Sequence, residues 1–180
     1  MQYVLRTTEL TKQYSKFTAL NGLTMNVPEG SIYGFVGRNG AGKTTLIRVV
    51  SGLNLPTSGS YSLFGAEYNA PNISESRRKM GAVVETPSIY LDMNAVDNLK
   101  QMCRILGKDF SCVDGLLEMV GLSDTGNKKA KDFSLGMRQR LGIAFSLVND
   151  PEFLILDEPI NGLDPQGIIE VRELLTKLNQ

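Results

Sequence analysis

Two short stretches hold residue types from which phosphate chemistry is built: GRNGAGKTT at 37–45 and FLILDEPINGLDP at 153–165. In the first, Gly37, Gly42, Lys43 and Thr44 fit the spacing G-x-x-x-x-G-K-[ST], directly after an apolar run and before a helical pattern. Glycine lets the backbone curl so that successive N–H groups, across Arg38, Asn39, Gly40 and Ala41, point into one concavity. The helix that follows adds its positive N-terminal end, which makes a phosphate site. Lys43 is expected to reach the β- and γ-phosphates of a nucleotide, and the Thr44 hydroxyl to ligate Mg²⁺, with Thr45 continuing the binding stretch. In the second stretch an apolar strand runs into Asp157 and Glu158 and stops at Pro159. Such a strand sets Asp157 at the carboxyl edge of a parallel sheet, where the phosphate loop is also expected. Asp157 is then suited to Mg²⁺ or its water shell, and Glu158 to polarising a water for in-line attack on a γ-phosphate.

The elements that must carry these residues follow from apolar spacing. Tyr3–Leu5 and Gly22–Val27 read as strands, and PEG at 28–30 as a turn. Ser31–Val36 reads as the apolar strand that feeds the phosphate loop, and Thr44–Val50 as the helix behind it, ending at Ser51-Gly52. Ser60–Leu63 is a further strand after the turn-prone PTSG. The middle of the chain changes to helical spacing. Val96, Leu99, Met102 and Leu106 share one face, and Val113, Leu116, Leu117 and Val120 another. A third helix is predicted over Ser134–Val148 with Leu135, Leu141, Ala144 and Val148 inward. The strand Phe153–Leu156 and a last helix with Ile168, Val171, Leu175 and Leu178 on one face complete an α/β core with a helical insertion.

Composition narrows what this chemistry can be. At 180 residues, 42% hydrophobic and 21% charged, the chain is long enough to bury a core and too apolar to stay disordered. Lys+Arg and Asp+Glu tie at 19, so no global field draws it to nucleic acid. With no histidine, a zinc site is disfavoured and imidazole general-base chemistry is excluded for this chain. Cys103 and Cys112 lack the CxxC spacing and read as bystanders in a reducing compartment. No signal peptide opens the sequence, and nothing approaches the roughly 18 consecutive apolar residues that span a bilayer. The chain reads as soluble and intracellular, with any membrane role coming through a partner.

With both stretches in hand, the chain resembles the ATP-binding subunit or domain of ABC (ATP-binding cassette) transporters over essentially its whole length. The resemblance implies an α/β fold: a P-loop NTPase core with a mostly parallel sheet, an N-terminal antiparallel β subdomain and an inserted helical subdomain. Residues 1–180 would form a single ATP-binding domain, with 1–85 and 149–180 the core and 86–148 the helical part. FSLGMRQR at 133–140 is similar to the family signature LSGGQ-x-QR: Ser134 and Gly136 match, while Leu135 and Met137 replace the first glycine and the glutamine. Ser134 is a good N-cap, and the helix it opens would offer N–H groups to an anion. In the family that anion is the γ-phosphate held by the other subunit, which implies a head-to-tail dimer around two ATPs. Tyr14 in TKQYSKFTAL matches the aromatic that stacks on adenine, and Asp164 in NGLDP the interfacial D-loop aspartate.

Glu85 in VVETP stands where the family usually has a glutamine touching Mg²⁺ and the attacking water. That glutamate, like SLGM in the signature, resembles the branch that exports or confers immunity to bacitracin-like and lantibiotic peptides. The family also carries a histidine on a later loop, which by spacing from Glu158 would fall past Gln180; the expectation is therefore a C-terminally truncated domain that binds ATP and hydrolyses it poorly. The function implied is an ATPase subunit, cytoplasmic and peripheral on the inner face of the membrane. Its expected cofactors are ATP and Mg²⁺, and its partners an integral membrane transporter subunit and a second ATP-binding subunit, identical or paired. A non-hydrolysing nucleotide-binding regulator and a soluble ABC-type ATPase outside transport are the alternatives.

Overall fold

Alternating apolar and polar residues near the N-terminus build a long hairpin. Strands β1 (Tyr3–Tyr14) and β2 (Phe17–Pro28) pair antiparallel, from Tyr3 opposite Pro28 to Tyr14 opposite Phe17. Strands β3 (Ser58–Leu63) and β4 (Ala66–Glu67) extend the sheet in the order β2-β1-β3-β4. The β1–β2 ladder shifts register between Thr7 and Leu10, and buried Thr7 sits at that irregularity. Its hydroxyl donates to Leu23 O (2.8 Å) and accepts from Met25 N–H (3.0 Å), so the bulge leaves this polar group satisfied. Helices α1 (Lys43–Val50) and α2 (Ile73–Arg78) accompany the sheet. Val49 and Val50 of α1 are fully buried, each contributing about 1.5–3 kcal/mol of apolar transfer.

The computed structural model describes residues 2–179, and the chain divides into two compact units, Met1–Met80 and Gly81–Gln180. The second contains a two-stranded parallel sheet of β5 (Met80–Val83) and β6 (Phe153–Leu156). Its helices are α3 (Ala95–Leu106), α4 (Val113–Met119), α5 (Leu135–Leu147) and α6 (Pro165–Leu178). One continuous core joins them, with Leu99, Val113, Leu122, Leu141, Ile143 and Val171 almost wholly buried. Antiparallel sheet, parallel sheet and helical segment together form the mixed α/β fold of a P-loop NTPase.

Four expectations are corrected, one strand and three helix faces. Ser31–Val36 is not a strand: it belongs to no ladder among the described residues, and Ile32, Tyr33, Phe35 and Val36 are exposed. Apolar content alone does not make a strand, since pairing needs a neighbour whose N–H and C=O groups meet the segment's own, and no described strand lies against this one. On α3, Leu99 is buried and Val96 and Met102 pack half-buried against the core as expected, but the fully buried companions of Leu99 are Ala95, Asn98 and Cys103, while Leu106 is exposed. Asn98 explains the rotation: its amide donates to the carbonyls of Tyr90 (3.0 Å), Met93 (3.3 Å) and Asn94 (2.9 Å) and accepts from Tyr90 N–H (2.7 Å). A fully satisfied amide is stable in a core, and apolar counting passes over it. On α5, Leu141, Ala144 and Val148 are buried, whereas Leu135, in the first turn, is 42% exposed. On α6 the buried stripe is Gly167, Val171 and Leu174, with Ile168, Leu175 and Leu178 half-buried at its margin.

Candidate functional site

In the first unit the phosphate loop is built around Gly42. Its φ of 87° lies in the left-handed region, and a Cβ there would stand 2.2 Å from Ala19 O, so only glycine fits. Ala41 N–H donates to Arg38 O (3.0 Å), and Leu46 N–H to Gly42 O (2.9 Å) begins α1. The Lys43 ammonium folds back over the loop, donating to Gly37 O (2.9 Å) and Arg38 O (3.3 Å). Gly37, Arg38, Asn39, Gly40 and Ala41 are exposed, with Thr44 and Thr45 half-buried at the start of the helix. No side chain caps α1, and no acidic residue occupies its first turn. A helix N-terminus with neither cap nor carboxylate suits an anion, and the residues present therefore fit a nucleotide's phosphates.

Beside the loop lies an open cavity of about 360 Å³ lined by Phe17, Ala19, Leu20, Phe35, Gly40 and Ala41. Tyr14, 41% exposed, stands across the hairpin from Phe17. Its hydroxyl accepts from Asn54 Nδ2 (2.8 Å), and the Lys12 ammonium lies 4.9 Å from its ring centroid. Phe17 is the residue that motif reasoning missed. The signal was available, since the short turn in TKQYSKF puts residues 14 and 17 side by side.

In the second unit Asp157 N–H donates to Val83 O (2.9 Å), which extends the pairing of β5 and β6 by one step, and Asp157 is 6% exposed. Glu158 follows, exposed, with φ 48°; Glu85, equally two residues past its strand, is exposed with φ 59°. Two non-glycine residues in the left-handed region cost on the order of 1–3 kcal/mol each, and such strain collects at functional turns. Asn161 fastens the turn: its N–H donates to Glu158 O (3.0 Å) and its Nδ2 to Glu158 Oε2 (3.1 Å). Among the described residues no group of three or more His, Cys, Asp or Glu could hold a metal. Thr44 in the first unit and Asp157 in the second are each a hard oxygen donor, the ligand type Mg²⁺ takes while keeping waters and phosphate oxygens.

Ser134 caps α5, its Oγ accepting from Met137 N–H (3.2 Å), and Asp164 caps α6, its Oδ1 accepting from Gly167 N–H (3.1 Å). The two helix starts interlock. A Cβ on Gly162, at φ 72°, would stand 3.0 Å from Leu135 Cδ2, and one on Gly136 would stand 3.6 Å from Leu163 Cδ2. Leucine at 135 is thus accommodated because residue 162 has no side chain.

Known proteins are similar to this chain. The chain is 47% identical over 180 residues to the bacitracin transport ATP-binding protein BcrA of Enterococcus faecalis, covering 99% of itself and 58% of that relative. It is 45% identical over 172 residues to the lantibiotic transport ATP-binding protein SrtF of Streptococcus pyogenes, covering 96% of itself and 73% of that relative. It is therefore shorter than both. The ATP-binding cassette MJ0796, solved as a dimer in a post-hydrolysis state with ADP and Pi, superposes with a TM-score of 0.84 at 25% identity, over 98% of this chain and 83% of that one. A family model described as ABC transporter matches residues 20–161, from within β2 to just past the paired carboxylates, and the chain belongs to the ABC transporter family.

Proposed function

We propose that this chain is the ATP-binding and hydrolysing component of an exporter for peptide antibiotics of the bacitracin or lantibiotic kind, docked on an integral membrane subunit at the inner face of the membrane. The observation that carries the reading is the uncapped, acid-free start of α1 behind a glycine loop over which Lys43 is folded. Likeness to BcrA and SrtF supports the substrate class, and the ADP-bound dimer of MJ0796 supports pairing of two ATP-binding subunits. No helix among the described residues is long and apolar enough to cross a membrane.

The roles divide by residue. Backbone N–H groups across 37–45 cradle the phosphates, and Lys43 exchanges its loop carbonyls for phosphate oxygens. Tyr14 offers its ring to adenine. Thr44, Asp157 and Glu85 would supply oxygen ligands to Mg²⁺, directly or through water, and the ion would neutralise phosphate charge. Glu158 orients a water and takes its proton. Ser134 and Gly136 present the start of α5 to the γ-phosphate of a second subunit.

Phosphate release by the full-length protein tests the proposal. Lys43→Ala should raise the dissociation constant for MgATP by about 100-fold or more, since charge-assisted hydrogen bonds to phosphate disappear. Unchanged affinity in calorimetry removes the phosphate-loop assignment. Release that is unaffected by the membrane subunit and by the peptide removes the transport assignment.

A further inference from the structure

We infer that Asn54 is a positioning residue that holds the Tyr14 ring for a nucleobase, which makes it a determinant of binding for base-bearing ligands; the inference rests on reading Tyr14 as the base platform. Tyr14 ends β1 and is 41% exposed, so strand pairing alone does not fix the ring. Two neighbouring residues of the loop after α1 do so. Asn54 Nδ2 donates to the Tyr14 hydroxyl (2.8 Å), and Leu55 O accepts from Lys12 Nζ (2.8 Å), holding that ammonium 4.9 Å from the ring centroid. The loop is itself tied down, because Leu53 and Asn54 both donate their N–H to Arg48 O (2.9 and 3.1 Å).

The physical consequence is preorganisation. A loose tyrosine must lose side-chain freedom when a base stacks on it, and a ring already held by its hydroxyl has lost that freedom beforehand. Lys12 occupies one ring face, which leaves the opposite face for a base and attracts the ring electrostatically from behind. Helix α1 begins at the phosphate loop and ends at the segment carrying Asn54, so one rigid element sets both the phosphate cradle and the ring anchor.

The test compares ATP with inorganic tripolyphosphate, which has the phosphates and no base, by calorimetry on the full chain. Asn54→Ala should weaken ATP about three- to tenfold, the value of one hydrogen bond, and leave tripolyphosphate unchanged. Tyr14→Phe keeps the ring and removes the acceptor, so it should match Asn54→Ala, with no further loss in the double variant. Equal loss for both ligands means that Asn54 acts on the phosphate loop through α1, and overturns the inference. So does an unchanged ATP affinity in Asn54→Ala while Tyr14→Ala still loses its preference for ATP over tripolyphosphate. If Tyr14→Ala keeps that preference, the platform reading itself fails and the inference falls with it.

Discussion

Glu158 is held at an unfavourable φ of 48° by a turn that Asn161 closes from both its backbone and its side chain. Glutamine at 158 retains an oxygen that can accept from Asn161, so Glu158→Gln should preserve the turn and nucleotide binding. It removes the proton acceptor, and phosphate release should fall by about 10²–10⁴-fold. Turnover at the wild-type rate would rule Glu158 out as the base. Glu85 has the same left-handed backbone two residues past β5. Glu85→Gln removes one negative charge and leaves the backbone demand unaltered. The expected result is intact ATP binding with a changed Mg²⁺ dependence of hydrolysis, because an anionic donor becomes neutral. Superimposable Mg²⁺ titrations would make Glu85 a solvated turn residue.

At the scale of elements, α3 and α4 bring Cys103 and Cys112 to a sulfur–sulfur distance of 3.8 Å as free thiols, although nothing in their spacing announced it. Burial, seconded by the hydrogen bond with Cys112, pushes the Cys103 thiol up from its ordinary value. A raised folded value favours the neutral thiol, so its contribution to stability is complete below the unfolded thiol pKa and is lost as pH climbs through the folded one. Only the thiolate alkylates. Iodoacetamide should therefore modify Cys103 slowly in the folded chain, with a rate that rises at higher pH than in the urea-unfolded chain. Coincident pH profiles for the two forms, read by peptide mass spectrometry, would contradict the packing of α3 on α4.

At the scale of the molecule, the starts of α5 and α6 are interlocked. Leu135 lies over Gly162, Leu163 faces Gly136, and both helix N-termini are capped by their own side chains. If the α5 start meets a phosphate held by another subunit, ATP must bridge the two copies. Glu158→Gln, which binds without turning over, should then elute as a dimer in MgATP and as a monomer in MgADP. Gly162→Ala should weaken that dimer, since its methyl would push against Leu135 at 3.0 Å and is strained at φ 72°. Elution as a monomer under saturating MgATP would remove the sandwich reading.

The sequence by itself determined the features whose physics is local. A glycine at the turn into α1, a lysine opening α1, a serine capping α5 and two carboxylates after β6 each follow from residue types at fixed spacing. Short range makes them legible, because each needs only its neighbours in the chain. Tertiary structure decided the rest. Whether Ser31–Val36 pairs depends on a strand edge far away in sequence, and apolar content says nothing about that edge. Which face of α3 turns inward depended on carbonyls at 90–94 that satisfy Asn98, and hydropathy scores that side chain as polar wherever it lies. Leu135 at the start of α5 meets a glycine of another turn, and the Tyr14 ring is held by a loop forty residues away. Contacts between residues distant in sequence leave no periodic trace along the chain, and only the folded backbone brings them together.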